Sequence, residues 1–151
     1  MTINFYTPRF YALNNFSAHA IEFRGQLYPT SEHAYQAAKC TDPKGKEEIR
    51  QARSPLQAKT LAKEVYGEAR DSDWDSKKVG VVEEILRAKL AQHSEVRQAL
   101  RASGDEEIVE DSPTDYFWGE GADGSGQNVL GKLWMKIRAE GGSSLRPFLP
   151  D

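Results

Sequence analysis

The sequence predicts a helix-rich α+β domain with a few short strands, and three observations carry that prediction. Across residues 74–90, Trp74, Val81, Val82, Ile85, Leu86 and Leu90 recur at the period of one buried helix face, the longest such pattern in the chain. Residues 21–23 and 26–28 alternate apolar with polar around Arg24-Gly25, the pattern of a tight hairpin. The 151 residues, 38% hydrophobic and 28% charged, suit one domain with a core large enough to need no staples.

In chain order, residues 3–6 read as a first strand and 11–18 as a loop, with Asn14-Asn15 turning the chain and Phe16 anchoring it. After the hairpin, Pro29 ends the second strand, and Thr30 or Ser31 caps a helix over residues 31–39. Asp42-Pro43-Lys44-Gly45 is expected to break that helix, leaving residues 46–52 as a short polar one. Ser54-Pro55 then restarts the chain in the cap-then-proline order favoured at helix starts. The helix over 55–65 should turn Leu56, Leu61 and Val65 inward and Lys59 and Lys63 outward, with Gly67 closing it. Asp71-Ser72-Asp73 caps the long helix from Trp74, residues 94–102 continue in helix to Gly104, and Ile108-Val109 is a short strand. A last helix covers 128–139. The whole chain, 1–151, is expected to form a single domain with its core over residues 3–139 and a C-terminal tail over 140–151.

Composition removes several function classes. Cys40 is the only cysteine, so no internal disulfide can form and a reducing, cytoplasmic compartment is expected. No apolar run approaches the roughly 20 residues of a membrane span, and residues 1–20 lack the basic-then-apolar layout of a signal peptide. No membrane partner is therefore expected, and no obligate protein partner is evident. The net charge of −3, with Lys and Arg spread along the chain, argues against an all-basic nucleic-acid coat and leaves a local basic cleft open. His19, His33 and His93 are far apart and unpaired with cysteines, so no metal site is expected.

Two stretches carry chemistry. In Thr30-Ser31-Glu32-His33-Ala34-Tyr35-Gln36-Ala37-Ala38-Lys39, helical spacing puts Glu32, Gln36 and Lys39 on one stripe and Ala34, Ala37 and Ala38 on a smooth opposite flank. A solvated ion-pair ladder is the common meaning of such a stripe, but a carboxylate, an amide and an amine together also suit a polar substrate. The second stretch runs from Asp115-Tyr116-Phe117-Trp118-Gly119-Glu120-Gly121 to Gly131. Gly119, Gly121 and Gly124 match G-x-G-x-x-G, yet the βαβ unit and the later acidic residue of a dinucleotide site are missing, so that reading is rejected. What remains is a glycine loop entering a helix N-terminus, which is expected to offer N–H groups to an anion or a sugar hydroxyl. Asp115 and Trp118 look like an acid beside a stacking platform.

Together, Leu13-Asn14-Asn15-Phe16, the block 28–39, Ser54-Pro55 with Ala58-Lys59, Trp74, and the blocks 116–121 and 126–131 resemble the NADAR or YbiA-like family, in the same order and over nearly the whole chain. Asn14 stands where many relatives have Ser. The resemblance implies a helix-rich α+β fold with a small sheet and an N-glycosidase that needs no cofactor. The implied substrate is either a ribosylaminopyrimidine phosphate of early riboflavin biosynthesis or ADP-ribosylated guanine, free or within nucleic acid. A non-catalytic module binding NAD or ADP-ribose is the alternative.

Cleavage of an N-glycoside passes through a ribosyl cation-like state, which calls for a carboxylate and for groups that hold the sugar and release the base. On this reading Glu32 is the carboxylate. Lys39 is a phosphate or hydroxyl ligand, or an amine attacking the opened sugar aldehyde, and Asp115 is a second acid. Asn15, Gln36, Gly119 and Asn128 would contact sugar or base, Phe16, Trp74 and Trp118 would wall the base, and Arg53 and Lys59 would clamp phosphate.

Overall fold

The computed structural model describes residues 2–4 and 8–141. These fall into two compact units, one drawn from Met1–Asn14 and Leu90–Asp151 and the other formed by Asn15–Lys89. The fold is α+β and helix-rich, as the sequence predicts, although the strands form two separate pairs. Phe5 and Tyr6 of the expected first strand, and the tail from residue 142, lie outside the described residues.

In the unit Asn15–Lys89, strands β1 (Ile21–Phe23) and β2 (Gln26–Tyr28) form the expected antiparallel hairpin. Its turn places Arg24 and Gly25 at φ 51° and 82°, the left-handed pair that a two-residue connection between twisted strands requires. Helix α1 (Ser31–Lys39) follows, with Thr30 as its N-cap. The Thr30 hydroxyl accepts the His33 backbone N–H at 3.2 Å and lies 2.8 Å from His33 Nδ1, while His33 Nε2 lies 3.0 Å from the Ala52 carbonyl. A carbonyl can only accept, so Nε2 carries the proton and Nδ1 accepts from the threonine hydroxyl. Burial holds the His33 pKa below its usual value, consistent with this neutral tautomer.

Helix α2 (Pro43–Arg50) begins three residues earlier than the sequence reading placed it. Asp42 and Pro43 start this helix as well as ending α1: the Asp42 carboxylate accepts the Lys44 N–H at 2.9 Å, and proline suits a first turn that has no use for its missing N–H. Gly45 is buried inside α2, where a Cβ would come within 2.7 Å of Cys40 Sγ and the Tyr66 ring. Helix α3 (Pro55–Thr60) widens into a π-helical turn, Leu61–Val65, closed by the Tyr66 N–H on the Leu61 carbonyl at 3.0 Å. This corrects two positions of the expected inward face, while the third, Leu61, is half-buried against the core. Leu56 and Val65 are each 61% exposed, and the buried positions are Ala58 and Ala62. Small residues let α3 lie close to α1, and the wider turn moves the residues after Leu61 off the 3.6-residue stripe. Lys59 and Lys63 do face outward.

The core of this unit joins Ile21, Phe23, Tyr28, Ala34, Ala37, Ile49 and Ala58 to Trp74, Val81 and Ile85 of helix α4 (Trp74–Gln92). All six apolar positions expected on the buried face of α4 are buried, and so is Lys89, which the sequence reading left out. Lys89 Nζ donates to Ser17 Oγ at 2.8 Å, and burial pushes its pKa down to about 7.

The other unit pairs strand β3 (Thr2–Asn4) in parallel with β4 (Glu107–Val109), opposing Ile3 to Ile108. Helices α5 (Ser94–Ala102) and α6 (Val129–Glu140) belong to it, together with a 3-10 helix, Pro8–Leu13, that replaces the first half of the expected loop. Trp134 is fully buried and donates its indole N–H to the Leu13 carbonyl at 3.0 Å. Asn128 precedes α6 in the left-handed region at φ 50°. Its side-chain oxygen accepts the Glu110 N–H and its amide donates to the Ile108 carbonyl, each at 2.9 Å, so it locks α6 to the end of β4.

Two expectations follow. Gly131 rests against the Ile108 carbonyl and the Asn128 amide, and a Cβ there would collide with both. Gly131→Ala should therefore cost about 1–3 kcal/mol, read as a lower urea midpoint. For Lys89 the folded pKa, about 7, lies below the ordinary value of 10.5. Between those values the unfolded chain binds the extra proton, so stability should rise with pH from about 7 upward. Urea unfolding at pH 7, 8 and 9 should show that slope in the wild type and a shallower one in Lys89→Met.

Candidate active site

Helix α1 brings the first chemical constellation together. Glu32 is 7% exposed, and its backbone N–H donates to the Asn15 carbonyl at 3.0 Å, which seats the loop before the hairpin against the first turn of α1. One turn on, Gln36 Nε2 donates to Glu32 Oε1 at 2.8 Å, fixing the carboxylate. The opposite flank of α1, Ala34 and Ala37, is fully buried. With Glu32 and Gln36 buried and Lys39 half-buried, the stripe is not the solvated ladder that such spacing commonly signals.

Lys39 lies two turns from Glu32 on the same face. Burial pushes its ammonium pKa below the usual lysine value; the Glu32 carboxylate opposes that shift, and the charges of Arg70 and Lys59 add to it. Its Nζ stands 5.9 Å from the centre of the Tyr35 ring, and Tyr35 packs against Trp74 with ring centroids 5.4 Å apart. Among the described residues, the buried side-chain atoms without a hydrogen-bond partner include Gln36 Oε1, Asn15 Oδ1, Ser31 Oγ and Trp74 Nε1. Four such atoms lie on or beside the turns that carry Glu32 and Gln36. Leaving a buried polar atom unpaired costs about 1–3 kcal/mol, so a concentration of them marks a place where a polar ligand can complete the bonding.

Glu32, Gln36, Lys39, Asn15, Lys59 and Trp74 thus form one neighbourhood. Phe16 is half-buried in the same unit, and Arg53 stands exposed in the turn between α2 and α3, its backbone N–H donating to Gln57 Oε1 at 2.6 Å. Sequence reasoning passed over Ser31, Tyr35 and Arg70. Ser31 and Tyr35 are one turn apart on α1, a signal open to inspection, whereas the position of Arg70 depends on how residues 67–73 fold back.

Asp115, Trp118, Gly119 and Asn128 belong to the other unit. Asp115 Oδ1 accepts the N–H groups of Phe117 and Trp118 at 2.9 and 2.8 Å, an Asx turn that shapes the loop. Trp118 is half-buried and edge-on to Phe117, with centroids 4.8 Å apart. Gly119 is buried where a Cβ would meet the carbonyls of Glu110 and Asp115 at 2.7 and 2.9 Å. The expected anion seat at the α6 N-terminus is corrected. The N–H groups of Asn128, Val129 and Leu130 donate to the carbonyls of Gly119, Phe117 and Trp118 at 2.9, 3.0 and 3.1 Å, so the glycine loop folds back and uses those donors itself. Both ends of the Asn128 amide are likewise engaged with backbone.

The model of the NADAR domain matches residues 4–140 of the sequence. The chain belongs to the NADAR family. It is 39% identical over 140 residues to N-glycosidase YbiA of Escherichia coli, covering 91% of this chain and 87% of that protein. An N-glycosidase of Nostoc punctiforme is 38% identical over 145 residues, with coverage of 93% and 92%. A riboflavin biosynthesis protein of Vibrio vulnificus is 39% identical over 128 residues, 85% of this chain but only 35% of that longer protein. The NMR structure of E. coli YbiA superimposes with a TM-score of 0.83 at 38% identity, over 93% of this chain and 84% of that one. These likenesses support an enzyme of the N-glycosyl hydrolase class. Among the described residues, no helix is long and apolar enough to cross a membrane, and no group of three or more His, Cys, Asp or Glu side chains is placed to hold a metal ion.

The pairing of charges on α1 can be read directly. Because Glu32 favours the charged form of Lys39, Glu32→Gln should lower the Lys39 pKa further. Titration of the Lys39 Nζ signal by heteronuclear NMR in wild type and Glu32→Gln should show that displacement.

Proposed function

We propose that the protein hydrolyses the C–N bond joining C1 of a ribose 5-phosphate to an aminopyrimidine, the linkage of a reactive intermediate in early riboflavin biosynthesis, in the cytoplasm. The carrying observation is the buried Glu32 carboxylate, held by Gln36 and sharing its helix face with the electrostatically perturbed Lys39. The choice of an aminopyrimidine is supported by the Vibrio relative, whose name places it in riboflavin biosynthesis.

As the C1–N bond breaks, positive charge develops on C1 and the ring oxygen, and a carboxylate beside it lowers the barrier. Water then forms the new C1–O bond under Glu32 as general base, and a proton from that water ends on the departing base nitrogen, so atoms and charge balance. Gln36 keeps the carboxylate in one rotamer, and its Oε1 accepts from a sugar hydroxyl. Trp74, whose ring is packed in the core against Tyr35 and so does not wall the base as the sequence suggested, offers an indole N–H that has no partner among the described residues. Lys39 holds the sugar phosphate, or its depressed pKa leaves amine available to attack the opened sugar aldehyde.

Purified protein incubated separately with the ribosylaminopyrimidine phosphate and with ADP-ribosylated guanosine, followed by mass spectrometry, tests this. The aminopyrimidine and ribose 5-phosphate should be released, and Glu32→Gln should lose about 10²–10⁴-fold in rate while keeping its melting temperature. Cleavage of the guanosine compound alone would replace the substrate. Binding of ADP-ribose with cleavage of neither would make the protein a binding module.

A further inference from the structure

Residue 70 sits beside the end of α1 by backbone geometry. Arg70 forms an antiparallel bridge with Cys40, the Asp71 N–H donates to the Lys39 carbonyl at 2.9 Å, and the Thr41 N–H donates to the Ala69 carbonyl at 2.7 Å. These bonds pin the short strap of residues 69–71 along the last turn of α1. The Arg70 side chain is 42% exposed, and one arm of its guanidinium meets Asp75 Oδ1 at 2.9 Å, a carboxylate shared with Lys78 at 3.3 Å. Asp75 thereby orients the planar fork, and a guanidinium has five donors, so one such contact leaves capacity for a ligand.

The backbone bonds bring Arg70 of the strap beside Lys39 of α1, and the charge of Lys59, an exposed lysine of α3, also acts on Lys39. The Arg70 and Lys59 charges both disfavour the Lys39 ammonium, and the Glu32 carboxylate, two turns away, counters them. Like charges gathered around a half-buried ammonium are unfavourable until an anion joins them. A phosphate monoester relieves the repulsion and matches the bidentate fork of arginine. Along α1, Glu32 and Lys39 are about 10 Å apart by helical rise, so a ribose with C1 at Glu32 can extend its 5′ end toward the Lys39 end.

We propose that Arg70, with Lys39 and Lys59, forms the clamp for the 5′-phosphate of the ribosyl ligand and so determines selectivity for phosphorylated over dephosphorylated substrates. This rests on the glycosidase reading above, yet its test stands apart from it. Ribose 5-phosphate and ADP-ribose, each carrying a 5′-phosphate, are titrated calorimetrically into wild type, Arg70→Gln, Arg70→Lys and, as a control at an exposed position of α4, Arg87→Gln. The ratio of kcat/KM for the phosphorylated against the dephosphorylated ribosylaminopyrimidine is measured on the same proteins.

Arg70→Gln should weaken ribose 5-phosphate binding about tenfold or more and reduce that ratio similarly, with Arg70→Lys between the two and Arg87→Gln matching wild type. Ribose 5-phosphate affinity and a selectivity ratio within twofold of wild type in Arg70→Gln would overturn the clamp. Should Arg70→Gln not fold, Arg70→Lys decides: weakened binding supports the clamp and unchanged binding removes it. A loss confined to ADP-ribose would overturn the monoester assignment and make the group a diphosphate site. If wild type cleaves neither substrate but Arg70→Gln still loses ribose 5-phosphate affinity, the clamp stands and the glycosidase reading falls.

Discussion

Helix α1 is held at both ends by groups outside it, and the chemistry of the unit Asn15–Lys89 depends on that restraint. At its start the Thr30 hydroxyl, the neutral His33 ring, the Ala52 carbonyl and the Asn15 carbonyl form a connected set of bonds. At its end Lys46 Nζ donates to the Ala37 carbonyl at 2.9 Å and Asp71 binds the Lys39 carbonyl. Nine residues are too few for a helix to persist alone in water, so α1 exists because its alanine flank is buried and its termini are satisfied by neighbours. The same bonds leave Glu32, Gln36 and Lys39 no freedom to rotate away from their common face.

Polar groups are treated differently in the two units. Around the α6 N-terminus, both ends of the Asn128 amide are bonded to β4 and its flank, Asp115 Oδ1 caps its own turn, and three amides donate to the carbonyls of the glycine loop. Around α1, by contrast, Gln36 Oε1, Ser31 Oγ, Asn15 Oδ1 and Trp74 Nε1 are buried without partners among the described residues. Unpaired groups oriented in advance lower stability but need no reorganisation when charge develops in a bound substrate.

Burial alone does not make a lysine reactive, as a comparison of three shows. Lys39, Lys46 and Lys89 all have pKa values lowered chiefly by desolvation. Lys89 spends its amine on Ser17, and Lys46 spends its amine on the end of α1. Lys39 combines desolvation with a carboxylate on its own helix face and with two further cations, the arrangement that both tunes an amine and attracts an anion.

Local pattern determined most of the helices, the hairpin and the polar stripe. A cap at Thr30, alternation around Arg24-Gly25 and the apolar period of α4 are set by neighbours within a few residues, which a sequence displays directly. The length and order of the motif blocks were likewise enough to place the chain in its family. Only the tertiary structure decided that α3 turns its alanines inward and leaves Leu56 and Val65 outside, because close approach to α1 selects small side chains and a π-turn shifts the register. It alone closed the α6 N-terminus with carbonyls from residues 117–119 and put Arg70 beside Lys39, 31 positions away in sequence. Such outcomes depend on where distant backbone carbonyls and charges come to lie, and no local spacing encodes that.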